Sequence, residues 1–183
     1  MKNYSTNLFL LGLLSTSSLL STYASGGYSE QFHANIPTLS QGVDIDGEFN
    51  EPQWQQAVEI ELKYETSPGE NILAPVTTKV KMFATDTSLF FAFTANDHNP
   101  EAIRANLRDR DKSWGDDLVG IKLDTFNNAR LAYQFFINPL GVQSDSIENE
   151  LTGQESDAWD GIWYSKGKIT DQGYQVEVEL PLR

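Results

Sequence analysis

Among the residues that could do chemistry, the tryptophans come first. Trp114 and Trp159 fall in polar, charged stretches, Arg108 to Gly115 (RDRDKSWG) and Glu148 to Asp160, and Trp163 follows closely. A large indole on a polar rim has a cost unless something covers it. A sugar suits that role, because its C–H face stacks on the ring and its hydroxyls pair with carboxylates and amides. Asp116, Asp117, Arg130, Asn138, Asp157 and Asp160 are the polar residues near enough in sequence to supply those contacts. The alternative is that the same rings plug the open ends of the fold. For Trp163, in or beside a strand, packing is the simpler role, and Trp54 sits in an amphipathic turn that reads as core.

Catalytic patterns are missing. There are two histidines, His33 in an N-terminal lead-in and His98 in the turn Asp97-His98-Asn99-Pro100. No HExxH, GxSxG or phosphate-cradling glycine loop occurs. A glycosidase needs two carboxylates at a fixed gap, one with a raised pKa. Asp116 and Asp117 are the candidates, but sequence neighbours on a strand point to opposite faces. Capping a turn, or pairing with Arg108 or Arg110, accounts for them more simply. No transition-metal set is present, so the metal question reduces to calcium. Asp44, Asp46 and Glu48, with Glu51 as a helper, are weak candidates, since calcium takes six to eight oxygens and an Asp-Gly turn explains them as well.

These residues need a scaffold, and the pattern is one of short strands. Val43–Gly47 reads as a strand entering a turn, and Glu51–Ala57 as one helical turn with Pro52 at its first position. Ile60–Glu65 alternates, and Ser67–Pro75 reads as a loop. Thr77–Ala84 and Leu89–Ala95 form the clearest hairpin, around the Asp86–Ser88 turn. A short helix is expected over Glu101–Leu107. Strands follow at Leu118–Asp124, Leu131–Asn138, Val142–Ile147, Ile162–Lys168 and Tyr174–Leu180, with a loop over Glu148–Asp160. Strands recur roughly every 10 to 15 residues, and only short helices fit between them. The fold class is therefore all-β, an antiparallel β-sandwich of jelly-roll or immunoglobulin-like kind with short helical turns.

The N-terminus reads as a signal peptide. Lys2 precedes the apolar run Leu8–Leu20, and Thr22 and Ala24 are small residues suited to cleavage after Ala24. The run is too short for a comfortable membrane span, which needs about 20 residues. The expected organisation is a leader over 1–24, a lead-in over 25–42 and one domain over 43–183, in a secreted, periplasmic or cell-surface setting. The leader's one charged side chain is Lys2, so cleavage takes the net charge from −13 to −14. Such a chain repels phosphate backbones, which argues against nucleic acid as a partner. With no cysteine, the core must hold the domain without disulfides. The end at Pro181-Leu182-Arg183, hard against the last strand, reads as the front piece of something longer.

Several stretches together resemble the family 9 carbohydrate-binding-module-like domains, within the wider DOMON-like sandwich group. They are Ile45-Asp46-Gly47 with Glu51-Pro52-Gln53-Trp54; Asp97-His98-Asn99-Pro100 with Arg108-Asp109-Arg110-Asp111; Trp114-Gly115-Asp116-Asp117; Leu123-Asp124-Thr125-Phe126; Tyr133 to Gly141 (YQFFINPLG); Trp159-Asp160-Gly161-Ile162-Trp163; and Gly173-Tyr174-Gln175-Val176-Glu177. The resemblance covers about residues 43 to 183. It implies a non-catalytic module that binds oligo- or polysaccharide, with two tryptophans sandwiching a sugar ring. Trp114 matches the first of these, and Trp159 or Trp163 the second. It further implies appendage to xylanases and other glycoside hydrolases, no required cofactor, and structural calcium in some members. One departure bears on the site: the glutamate six residues after the first tryptophan is Gly120 here. Longer relatives continue into a C-terminal region predicted to be a membrane β-barrel. Two further readings stand beside sugar binding, a docking domain of a larger outer-membrane or surface protein and a part of a glycoside hydrolase.

Overall fold

The computed structural model describes residues 33–182. The chain separates into Met1–His33 and Ala34–Arg183, and the fold below is that of the second unit. The expected leader and most of the lead-in lie outside the described residues. No helix among the described residues is long and apolar enough to cross a membrane.

Among the described residues, nine strands form two antiparallel sheets, as the strand pattern predicts. They are β1 (Val58–Glu65), β2 (Ile72–Ala84), β3 (Ser88–Asn96), β4 (Val119–Leu123), β5 (Leu131–Ile137), β6 (Gln143–Asn149), β7 (Gln154–Ser156), β8 (Tyr164–Thr170) and β9 (Gly173–Pro181). One sheet has the order β1-β2-β3-β9-β8, the other β4-β5-β6-β7. Strand periodicity sorts the side chains. Phe91, Phe93, Val176, Val178 and Leu180 of the first sheet meet Val119, Ile121, Phe135 and Ile137 of the second, and together they form the main core.

A second core lies on the other side of the five-stranded sheet. Phe83, Phe90 and Ala92 point outward there and are covered by Trp54, with Leu39, Val43, Ile45 and Phe49 around it. Trp54 sits on the single helical turn α1 (Gln53–Gln56), entered through Pro52 as its N-cap. The covering segment begins before residue 43: Thr38 bridges Ala84 where β1 no longer pairs with β2.

Glu177 ties this cover down. It faces outward on β9, is fully buried, and accepts hydrogen bonds from the backbone N–H groups of Asp46 and Gly47 and from Trp54 Nε1. Burial pushes its carboxyl up to about 7, with nearby Glu51 adding to the rise, while the three N–H donors pull it down. A folded-state pKa above the unfolded value means stability that is full below pH about 4.5 and lost as pH rises through about 7. The ceiling on this contribution is on the order of 3 kcal/mol. Glu177→Gln removes the titration. Thermal melts at pH 5 and pH 8 should therefore show the variant gaining on the wild-type protein at the higher pH; an offset independent of pH would show that Glu177 does not titrate in this range.

Four local expectations are corrected. Val43–Gly47 is extended but not a strand, because its N–H groups at Asp46 and Gly47 go to the Glu177 carboxylate rather than to a neighbouring strand. The Ser67–Pro75 loop is shorter than expected, since β2 starts at Ile72. The ladder slips between Leu62 and Tyr64, whose partners are Thr78 and Leu73. Pro75 falls in the unpaired stretch between those partners, where its missing N–H costs no ladder bond. The helix over Glu101–Leu107 is only a 3₁₀ turn, Pro100–Ala102. Beyond it the N–H groups of Arg104 and Asn106 are taken by the carboxylates of Asp117 and Asp116, which replaces the helical ladder with side-chain acceptors. Within Glu148–Asp160 the chain turns at Asn149–Gly153 and adds the short strand β7 against β6.

Candidate functional site

Trp114 stands on the outer face of the four-stranded sheet. Its ring meets Phe136 edge-on at 5.2 Å between centroids, and it remains 46% exposed. Phe136 points outward because its neighbours Phe135 and Ile137 point into the core. Gly120 is its cross-strand partner on β4. A Cβ at residue 120 would lie 2.5 Å from the Phe136 ring, so the glycine makes room for that ring where the family pattern has a glutamate. Ser113 is buried and joined to Ser144 across β6, which fixes the backbone next to Trp114.

Trp159 and Trp163 are on the opposite side of the same strand. Trp159 packs edge-on against Tyr133 (4.9 Å) and Phe135 (5.8 Å), and Phe135 in turn against Trp163 (5.4 Å). Both Tyr133 and Phe135 face inward. The backbone of β5 therefore separates Trp114 from the other two, so Trp114 does not face either of them across one sugar ring. Trp163 is 5% exposed and belongs to the main core.

Several of the expected polar partners already hold the fold together. Asn138 is fully buried. Its amide donates to Asn106 O and Asp116 Oδ2, and its oxygen accepts from the N–H groups of Leu140 and Val142. That uses its full hydrogen-bonding capacity. Asp116 also accepts from the Asn106 amide and N–H, and these hydrogen bonds hold its carboxyl below the usual range. Asp117 pairs with Arg104. Arg130 is exposed at the far end of β5, roughly 20 Å along the strand from Phe136 at about 3.3 Å per residue. Asp157 and His98 are exposed.

The buried hub at Asp145 carries no local signal in the sequence. This aspartate lies on β6, facing the core, with no exposure. It accepts from Arg110 Nε (3.0 Å) and Nη2, from Gly161 N (2.7 Å) and from Trp163 Nε1 (3.2 Å). Arg110 also donates to Gln143 Oε1 and Gly161 O, and its guanidinium lies 5.7 Å from the Trp163 ring centre. Asp160 adds a contact of 3.3 Å to the same guanidinium. Asp111, Asp145 and Asp160 are the three acids that cluster among the described residues, and Arg110 supplies the cation between Asp145 and Asp160. Of the calcium candidates, Asp46 accepts from Glu48 N–H, Glu48 pairs with Lys168, and Asp44 is exposed.

A cleft of about 540 Å³ lies beside Trp159. Loop residues 159–162 form one wall. Tyr164 on β8, Glu179 on β9, and Thr87 and Ser88 at the start of β3 form the rest. Tyr164 and Glu179 are cross-strand partners, and Glu179 accepts from the Ser88 hydroxyl at 2.7 Å. Trp159 is half-buried, whereas Tyr164 and Asp160 are exposed. Gly161 completes the wall: a Cβ there would come within 2.8 Å of the Trp159 ring. Trp159, Tyr164, Asp160, Glu179, Thr87 and Ser88 thus line one concave surface.

No curated protein matches this sequence. Solved structures do. A family 9 carbohydrate-binding module from Caldicellulosiruptor kristjanssonii in complex with cellotriose aligns at 20% identity and TM-score 0.56, over 81% of this chain and 68% of that one. The module from the same organism in complex with glucose aligns at 17% identity and TM-score 0.53, over 81% and 69%. A candidate carbohydrate-binding protein from Bacteroides uniformis ATCC 8492 aligns at 11% identity and TM-score 0.57, over 80% and 71%. At these identities the structures establish the sandwich alone. The family model for carbohydrate family 9 binding domain-like proteins matches residues 45–183, most of the chain, and on that match the chain belongs to this family of non-catalytic carbohydrate-binding modules.

Proposed function

We propose that the domain binds saccharide in the cleft beside Trp159 and performs no chemistry on it. The observation that carries this is the convergence of Trp159 and Tyr164 with Asp160, Glu179, Thr87 and Ser88 on one concave surface. An aromatic wall with a few placed polar groups is what sugar recognition needs. Trp114 is the more exposed ring but lies on the outer face of the sheet, away from these groups. Gluco-configured sugars are the first ligands to try, since the Caldicellulosiruptor module was captured with glucose and with cellotriose. The signal-peptide reading supports action outside the cytoplasm, and the family resemblance supports a setting of polysaccharide catabolism that includes xylan and the hydrolases acting on it.

Calorimetric titration with cello- and xylo-oligosaccharides tests the reading. Binding in the millimolar range or tighter is expected. Trp159→Ala should weaken it by ~2 kcal/mol, about thirtyfold, as for an anchoring aromatic. Trp114→Ala should leave affinity within about twofold. Loss on Trp114→Ala with Trp159→Ala neutral would move the site to the outer face. No heat from any of these sugars, with the protein shown folded, would end the proposal.

A second reading is favoured by one surface. Where β2 extends past β3, the β1–β2 hairpin exposes Leu62, Tyr64, Ile72, Leu73 and Val76. Five exposed large apolar side chains on one hairpin are more than solvent contact alone favours. This surface fits docking against another part of a longer protein, such as a C-terminal membrane β-barrel.

A further inference from the structure

Trp159 also lines a second concavity, a groove of about 480 Å³ at the end of the sandwich, between the two sheets. The groove and the cleft share Trp159, Gly161, Ile162 and Pro181. Their linings differ. The groove is walled by Leu180 and Leu182 from the five-stranded sheet and by Leu123 and Tyr133 from the four-stranded one, with Thr125 at its mouth. Ile162 and Leu182 remain 83% and 55% exposed, so none of the described residues covers this apolar surface.

Trp159 meets Tyr133 edge-on inside the groove, which leaves room between the sheets for a flat ring or a short alkyl chain. The volume is ample, because a cavity of about 150 Å³ already holds benzene. A ligand lying across Trp159 would meet carboxylates and hydroxyls at one end and hydrocarbon at the other. A bare oligosaccharide satisfies the first half and leaves the second wet.

We propose that the groove is a subsite for an apolar substituent on the bound sugar, an aryl or alkyl aglycone or an acyl ester. The preferred ligand is then a substituted rather than an unsubstituted saccharide. The inference rests on sugar binding beside Trp159 and adds the class of sugar. The occupant follows from continuity: the groove opens directly into the polar cleft, so a group attached to a sugar held there enters without bending away.

The test compares methyl β-glucoside, n-butyl β-glucoside, p-nitrophenyl β-glucoside and n-butanol by calorimetry. Each methylene taken from water is worth about a fourfold gain. Butyl and nitrophenyl glucosides should bind at least tenfold more tightly than methyl glucoside. Leu182→Asp, at an exposed position that lines the groove but not the polar cleft, should remove that gain and leave methyl glucoside unchanged. Thr125→Asp provides the same test from the opposite wall. Equal affinity for methyl and butyl glucoside overturns the subsite and leaves sugar binding intact. Butanol binding as tightly as butyl glucoside also overturns it, since sugar and substituent are then not read together. No binding of any glucoside, or of cellotriose, removes the underlying sugar reading instead.

Discussion

Asp145→Ala should lower stability by about 3–5 kcal/mol, the usual cost of breaking a buried ion pair by deleting one partner. The magnitude follows from what is left behind. Arg110 would keep its charge beside the core without its bidentate acceptor, and the Gly161 N–H and Trp163 indole N–H would lose theirs. Each orphaned donor carries its own desolvation cost. For a domain of this size the loss corresponds to a fall in Tm on the order of 10 °C. Asp160→Ala is the control. It touches the same guanidinium at 3.3 Å, but its side chain is 69% exposed, and an exposed pair contributes under about 1 kcal/mol. Thermal melts of the two variants separate the hub from ordinary surface charge. A Tm for Asp145→Ala within about 2 °C of the wild-type value would mean that the network contributes little.

Trp54→Ala should cost about 3–5 kcal/mol, as truncation of a buried aromatic does. Trp54 is 1% exposed and packs edge-on against Phe83 at 5.0 Å, which stacks on Phe90 at 4.7 Å. Its removal leaves a cavity beneath the segment that covers the five-stranded sheet, and takes one donor from Glu177. Trp54→Phe divides these terms. It keeps most of the ring but not the N–H, so about 1–3 kcal/mol is expected from the weakened satisfaction of a buried carboxylate. Urea denaturation gives both values. If Trp54→Ala costs less than about 1 kcal/mol, the outer core is not a stabilising element.

The central strands were legible as short runs rich in apolar and aromatic residues, alternating in Tyr174–Leu180 and nearly continuous in Leu89–Ala95, where both faces are covered. The runs at Leu89–Ala95, Leu131–Asn138 and Tyr174–Leu180 each match a strand within a residue or two. Trp54 was legible as core for the same kind of reason. What stayed hidden depends on pairings distant in sequence. Glu177 looks like one solvent-facing residue of an alternating strand (YQVEVEL), and nothing local shows that residues 46 to 54 fold over it from 123 to 131 positions away. Asp145 sits in a serine-rich strand (QSDSIEN) that reads as polar, although its inward row faces the core. The aromatic site was half visible. Three tryptophans near polar loops marked a rim, but which face of β5 each would meet depends on how the loops cross the sheet, and no local pattern encodes that. Tyr164 and Glu179, which complete the cleft, carry no local signal beyond strand alternation.

The four-stranded sheet has a border that two different devices close. At Ile147–Asn149 the strand β6 pairs with β7. Toward its other end, Asp111 donates its N–H to Gln143 O and accepts the N–H of Asp145 on its carboxylate. One loop residue thus occupies hydrogen-bonding positions that a neighbouring molecule's strand would otherwise seek. Unsealed strand borders nucleate association between copies, and a chain without cysteine has no covalent clamp against such slippage. Resistance to association at high concentration therefore depends in part on one loop aspartate, Asp111.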